Sequence, residues 1–184
     1  MMKIVISLIL SFFPIVAFSQ NDDIYIIAKN GDIFYQRVME CPEKNAEEIR
    51  LMIKQSGALR YSTQIIHDDI NKIIAVLDAI PSHTHELDGY SLMSSDFIIS
   101  KFALYSGQVI YEIKDQKYRV TFKDIAFRIP DNAIFEDNKY LKELLYNKKN
   151  ELRNRYNDKL TYALSHTFNL EIAPAYDEIL NDNW

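Results

Sequence analysis

The fold of this 184-residue chain is decided by one stretch, which reads Val109-Ile110-Tyr111-Glu112-Ile113-Lys114-Asp115-Gln116-Lys117-Tyr118-Arg119-Val120-Thr121-Phe122-Lys123. Apolar and polar residues alternate along both arms of the stretch. A period of two places successive side chains on opposite faces of a strand, so the pattern predicts an antiparallel hairpin. We expect one face of the resulting sheet to be buried and the other to meet water. The water-facing residues, which we take as a candidate binding surface, are Glu112, Lys114, Arg119, Thr121 and Lys123.

Two further hairpins are predicted before this stretch. The dipeptide Asn30-Gly31 lies between the β-rich runs 24–28 and 33–39. Asparagine and glycine tolerate the two positive φ angles of a type I′ turn, which favours a tight hairpin. A second pair of β-rich runs, joined by a polar turn, occupies residues 63–67 and 72–80.

A helix is predicted between these two hairpins. Asn45 and Glu48 have the spacing of a capping box, in which each side chain accepts a hydrogen bond from the other residue's backbone N–H. Gly57 suits the left-handed conformation that often follows a helix. We therefore expect a helix over residues 46–56.

The remaining chain combines one strand with helical periodicity. Residues 96–105 have the composition of a strand, and Ser106-Gly107 is typical of a turn. Leucines and aromatic residues then recur at threes and fours over residues 138–167, which predicts a helix. We expect a break near residues 154–158, where Asn and Asp compete for backbone hydrogen bonds, and a short final helix after Pro174.

Together these elements predict an α+β fold, an antiparallel sheet of about six or seven strands with helices packed on one face. Two runs also resemble an exported bacterial domain family of unknown function that is described as TBP-like. The resemblance covers roughly residues 33–127 and implies a β-α-β4-α order plus an N-terminal hairpin strand, without catalytic residues. The runs that carry it are Phe34-Tyr35-Gln36-Arg37-Val38-Met39-Glu40-Cys41-Pro42-Glu43-Lys44-Asn45-Ala46-Glu47-Glu48-Ile49 and Lys114-Asp115-Gln116-Lys117-Tyr118-Arg119-Val120-Thr121-Phe122-Lys123-Asp124-Ile125.

The N-terminus predicts export. Lys3 precedes an apolar run of about 15 residues that ends near the small residue Ser19, as in a secretory signal peptide. We expect residues 1–19 to be removed and residues 24–184 to form a single domain, with a sheet core over 24–129 and a C-terminal helical region over 130–184. The apolar run is too short to span a bilayer, so no transmembrane segment is expected after cleavage. Gln20 stands where a lipoprotein has cysteine, which predicts a periplasmic or secreted protein of a Gram-negative bacterium rather than a lipoprotein.

Composition excludes several classes of protein. The formal net charge is −5, whereas nucleic-acid binders usually carry a basic surplus, so no nucleic acid is expected as a partner. Cys41 is the only cysteine and cannot form an internal disulfide. Packing must therefore hold the fold together, and no cofactor is implied by the sequence.

The one candidate metal site lies in a polar loop. His83 and His85 form a His-x-His pair that an extended backbone would place on one side, and Asp88 could add an oxygen ligand. The interpretation that competes with this one is a loop with solvent-exposed histidines. No other part of the sequence offers an obvious set of remaining ligands.

These observations favour a non-enzymatic binding domain of the cell envelope. Its partner would be a protein, a peptide or an apolar small molecule. The first alternative is a metal-dependent hydrolase that uses the His-x-His loop. The second is a structural protein that oligomerises through its C-terminal helix.

Overall fold

The computed structural model describes residues 25–87 and 97–173, and within them the chain forms a seven-stranded sheet and three α-helices. The predicted signal peptide and the predicted helix after Pro174 lie outside these residues. The strands are β1 (Ile26–Lys29), β2 (Asp32–Glu40), β3 (Ser62–Asp69), β4 (Lys72–Pro81), β5 (Leu104–Lys114), β6 (Lys117–Arg128) and β7 (Lys139–Tyr140). The helices are α1 (Ala46–Gln55), α2 (Leu141–Leu145) and α3 (Asp158–Ile172).

The sheet is antiparallel throughout, in the order β1-β2-β6-β5-β4-β3, and β7 pairs with the far end of β6. Helices α1 and α3 pack against one face, and their apolar residues join those of the strands in one core. This arrangement confirms the predicted α+β fold. None of the helices in the described residues has the length and hydropathy needed to cross a membrane.

The core centres on Phe168 of α3, which is fully buried. Its ring makes edge-to-face contacts with the rings of Tyr35, Tyr105 and Phe122, with centroid distances of 5.8, 5.4 and 5.1 Å. Two hydrogen bonds hold the same helix to the sheet, because the hydroxyls of Tyr35 and Tyr111 donate to the α3 residues Asn169 and Ile172 at 2.7 and 2.9 Å. Phe168 thereby joins β2, β5 and β6 under one helix.

The local turn and cap predictions are confirmed. Asn30 and Gly31 both have positive φ, at 55° and 79°, as a type I′ turn requires. Asn45 accepts a hydrogen bond from the backbone of Glu48, and the Glu48 side chain accepts one from the backbone of Asn45. Gly57 has a φ of 78° and follows the end of α1. These features depend on neighbouring residues alone.

The predicted strand at 96–105 is wrong. Phe97–Ile99 forms a short 3₁₀ helix, and β5 begins only at Leu104. Ser106 and Gly107, expected to form a turn, lie within β5 and pair with β6 and β4. The glycine marks a close approach between strands and does not reverse the chain.

The predicted long helix at 138–167 is wrong as well. It is replaced by β7, α2, an irregular segment and α3, so the interruption runs from residue 146 to residue 157. Asparagine side chains explain the interruption, because Asn147 Oδ1 accepts from the backbone N–H of Lys149 and of Glu151, and Asn157 caps the start of α3. Competition for backbone hydrogen bonds was the expected cause, but it acts over a longer segment than 154–158.

Three strands carry an extra residue at the same level of the sheet. It is Thr63 in β3, one of the pair Asp78 and Ala79 in β4, and one of the pair Asp124 and Ile125 in β6. Strand β3 has a second extra residue further along, at Ile66. Such β-bulges bend a strand and re-aim its side chains. Past the bulge in β6, the neighbour of that strand changes from β2 to β7.

Gly107 allows β5 and β6 to approach each other closely at the level of the bulges. A Cβ atom on this residue would lie 2.7 Å from the carbonyl oxygen of Lys123 and 2.9 Å from the ring of Phe122. Because the carbonyl belongs to the backbone of β6, the strand itself would have to move to admit a side chain.

We expect Gly107→Ala to lower the free energy of unfolding by about 1–3 kcal/mol, the usual cost of forcing extra atoms into a packed site. Urea denaturation of the purified protein measures this change. The matched control is Ser106→Ala, which removes a half-exposed hydroxyl next door and should change stability by less than about 0.5 kcal/mol. Equal stability of the two variants would contradict the role assigned to Gly107.

Candidate functional site

The side of the sheet opposite α1 and α3 is called here the helix-free face. Ile74 and Ile110 are register partners at its centre and are only half-buried. Phe34 and Val76 are also half-buried there, and Val38 is 54% exposed. An apolar strip with incomplete cover therefore crosses this face.

The five residues predicted as a binding surface all lie on the helix-free face, because they alternate with fully buried residues of β5 and β6. Arg119 Nη2 and Glu112 Oε2 form an ion pair at 2.6 Å. Thr121 accepts a hydrogen bond from the Gln36 side chain at 3.0 Å. The predicted orientation is confirmed, while the binding role of these residues stays a prediction.

A cavity of about 250 Å³, called here the hairpin cavity, opens beside the β5–β6 turn. It brings together Glu112, Lys114 and Arg119, while Thr121 and Lys123 lie outside it. Three cationic side chains and one carboxylate line it, so its potential is positive on a protein with a net charge of −5. The lining residues are Val38, Glu112, Lys114, Lys117, Tyr118 and Arg119.

A larger cavity of about 400 Å³, called here the bulge pocket, opens where the three bulges meet. Its volume lies in the range of small-molecule sites, about 300–1,000 Å³. Seven of its eleven lining residues carry a hydroxyl, an amide or a carboxylate. The lining residues are Thr63, Val76, Leu77, Asp78, Ser106, Gly107, Gln108, Asp124, Ala126, Asn138 and Tyr140.

Two of the seven non-glycine residues with positive φ in the described part of the chain lie at or next to this pocket. Ala79 and Asp124 have φ angles of 60° and 53°, in the left-handed region. Aspartate is one of the residues that tolerates this region, whereas for alanine it costs on the order of 1 kcal/mol or more. The surrounding sheet holds Ala79 in place partly through Asp78, whose carboxylate accepts from the Ala79 backbone at 2.9 Å and from Arg128 at 2.7 Å.

The predicted His-x-His loop forms a different cluster from the one expected. His83 lies between two carboxylates, with Nδ1 2.7 Å from Glu86 and Nε2 2.5 Å from Glu171. Glu171 is buried and also binds Arg60. His166, from α3, has its Nε2 3.5 Å from Glu86. The cluster therefore joins the loop after β4 to α3.

This arrangement limits what His83 and His85 can do with a metal. Both ring nitrogens of His83 already face carboxylates, and the His85 ring stacks on His83 at 6.3 Å with its Nε2 3.9 Å from Glu86. Asp88 lies outside the described residues. Within 25–87 and 97–173, no group of three or more His, Cys, Asp or Glu residues could hold a metal ion. The metal site stays a prediction that depends on Asp88.

The bulge pocket is a site that sequence reasoning missed. The available signal was Gly107, because an isolated glycine inside a strand pattern indicates a bulge or a close backbone approach. The interpretation of Ser106-Gly107 as a turn hid that signal. The polar residues around the pocket come from five separate strands, so no local motif groups them.

Comparison of the whole fold places the chain in a structural class. It is similar to a TBP-like protein from Parabacteroides distasonis, with a TM-score of 0.52 and 13% identity over 84% of this chain and 94% of that one. A DUF4468 family protein from Bacteroides ovatus matches at a TM-score of 0.49 and 14% identity, over 77% of this chain and 82% of that one. No protein-family model matches the sequence, and neither does any curated protein.

The fold is therefore the TBP-like α+β fold, as the sequence predicts. The particular resemblance seen in the sequence, to bacterial domains of that fold, is confirmed by the structural match. The match does not carry a function, since one fold serves many unrelated functions. Function must be argued from the helix-free face itself.

The His83 cluster predicts a specific dependence of stability on pH. Burial lowers the pKa of His83, but the hydrogen bonds and charges of Glu86 and Glu171 outweigh burial and raise it above the ordinary value of 6.5. The stabilising contribution of protonated His83 is thus complete below about pH 6.5, the unfolded-state value, and is lost as the pH rises through the folded-state pKa.

We expect the unfolding free energy of the protein to fall as the pH is raised from about 6 to 9, and His83→Asn to remove much of that fall. Chemical denaturation at several pH values measures it. The control is His67→Asn, which removes an exposed histidine of β3. This variant should keep the dependence of the unfolding free energy on pH. The same slope in the His83 variant and the wild-type protein would refute the assignment.

Proposed function

We propose that this chain is an exported, non-enzymatic binding domain of a bacterial cell envelope, acting in the periplasm or after secretion. Its ligand contacts the helix-free face at the hairpin cavity. The ligand is a protein, a peptide or an apolar small molecule. The proposal of export is based on the signal-like residues 1–19. The proposal of binding is based on the geometry of the hairpin cavity.

The observation that carries the proposal is a basic, partly apolar cavity on the helix-free face, the side of the sheet opposite α1 and α3. Lys114 and Lys117 are exposed and form no ion pair within the described residues. Val38 is exposed beside them. Exposed cations next to apolar surface on an acidic protein favour a ligand with both carboxylates and apolar groups. An acidic peptide segment has this chemistry.

Binding fits this cavity better than catalysis does. Its lining offers charge and apolar area, and the paired Arg119 and Glu112 hold each other in place. A hydrolytic or transfer reaction needs a nucleophile or a general base at the reacting atom. The lining has no serine, cysteine or histidine, and its one carboxylate, Glu112, is engaged by Arg119.

We expect the double variant Lys114→Glu and Lys117→Glu to lose capture of its partner from envelope extract by at least tenfold, because the cavity becomes acidic. Quantitative mass spectrometry of the captured proteins measures the loss, and thermal melting checks the fold. The control is Lys148→Glu and Lys149→Glu, which makes the same change of charge at exposed residues outside the cavity. Capture of the same proteins by both double variants would count against the hairpin cavity.

A further inference from the structure

We propose that the bulge pocket is a second binding site, separate from the hairpin cavity, and that its ligand is a small neutral saccharide. The two cavities open on the same face but share no lining residue. The inference goes beyond the proposed function, because it names a second site and a second class of ligand.

The pocket offers many hydrogen-bonding groups that the protein does not use. Within the described residues, the side chains of Ser106, Gln108, Asp124, Asn138 and Tyr140 have no hydrogen-bond partner. Their amides and hydroxyls both donate and accept, and the carboxylate accepts. Sugar hydroxyls also donate and accept, so they match such a mixed set.

The charge of the pocket disfavours an anion. Neither lysine nor arginine is among its lining residues. Asp78 is paired with Arg128, which leaves Asp124 as the one lining carboxylate without an ion pair in the described part of the chain. An anionic ligand would be repelled by Asp124, and none of the residues that line the pocket carries a positive charge to compensate.

The surroundings of Asp124 also reduce its attraction for a cation. Lys142 adjoins the same spot, where it lines a small cleft with Asp124 and Tyr140. Its ammonium lies 5.7 Å from the centroid of the Tyr140 ring. A positive charge near Asp124 offsets the field of the carboxylate, so an uncharged ligand fits the pocket best.

The pocket supplies apolar surface as well. The Tyr140 ring is 43% exposed, and the side chains of Val76 and Ala126 also line the cavity. A sugar ring has an apolar C–H face, which packs on aromatic and aliphatic side chains while its hydroxyls bond to polar groups at the edge. Polar groups that converge around such a surface are typical of small-molecule sites.

The pocket is also held in shape before any ligand arrives. Its residues come from paired strands, and the bulges that open it are set by the register of the sheet. A site on rigid elements needs little ordering when the ligand binds, which favours affinity for a small molecule.

The test is saturation-transfer NMR on the purified protein with a panel of neutral pentoses, hexoses, N-acetylhexosamines and their disaccharides, with titration of each binder. Glucuronate and spermidine serve as the anionic and cationic probes. The variants are Gln108→Leu, which keeps the side-chain volume, and Tyr140→Ala. The control is the double variant Lys114→Glu and Lys117→Glu, and thermal melting checks each fold.

We expect at least one neutral saccharide to bind, with Kd raised at least tenfold by Gln108→Leu and by Tyr140→Ala but less than twofold by the control. The proposal is overturned if no saccharide binds. It is also overturned if the Gln108 and Tyr140 variants bind the saccharide with the same Kd as the wild-type protein. Binding of spermidine or glucuronate without any neutral sugar overturns it too and assigns the pocket to ions. Because the two cavities share no lining residue, failure here leaves the function proposed for the hairpin cavity untouched.

Discussion

The packing of α3 onto the sheet through Phe168 is the interaction on which the rest of the structure depends. The side chain is fully buried among rings from three strands, and a fully buried phenylalanine contributes roughly 1.5–3 kcal/mol. Tyr35 and Tyr111 satisfy their buried hydroxyls on the same helix. Most of the large buried aromatic residues lie on this face, and within residues 25–87 and 97–173 neither α1 nor α3 covers the other face of the sheet.

The second constraint is the register of the sheet. Extra residues in β3, β4 and β6 fall at one level, so the strands change direction together and the partner of β6 changes there from β2 to β7. The region tolerates a left-handed alanine and requires a glycine at residue 107. Conformational strain that persists next to a cavity is often associated with function.

Charge divides the helix-free face into two regions of different chemistry. The hairpin end carries exposed lysines, whereas the bulge end carries carboxylates, amides and hydroxyls, with the half-buried Ile74 and Ile110 between them. The His83 cluster lies elsewhere and ties the loop after β4 to α3 through the buried Glu171. In the described part of the chain its histidines contact carboxylates, and the predicted metal site stays a prediction that depends on Asp88.

Features that depend on near neighbours could be predicted from the sequence. They include the type I′ turn at Asn30-Gly31, the capping box at Asn45, and the alternation that puts Glu112 and Arg119 on the open face. The bulges and the switch to β7 could not be predicted, because each depends on contacts between residues far apart in the chain. The break before α3 was predicted near residues 154–158 from local asparagine chemistry, but its full extent, from residue 146 to residue 157, was not. Gly107 shows the difference most clearly: its sequence context indicated a turn, and only the backbone of β6, 2.7 Å from where its Cβ would be, makes it part of a strand. The sequence by itself determined the α+β fold and its open face, while the tertiary structure alone decided where that face opens into a pocket, since a pocket is made by the relative register of strands that local propensity does not encode.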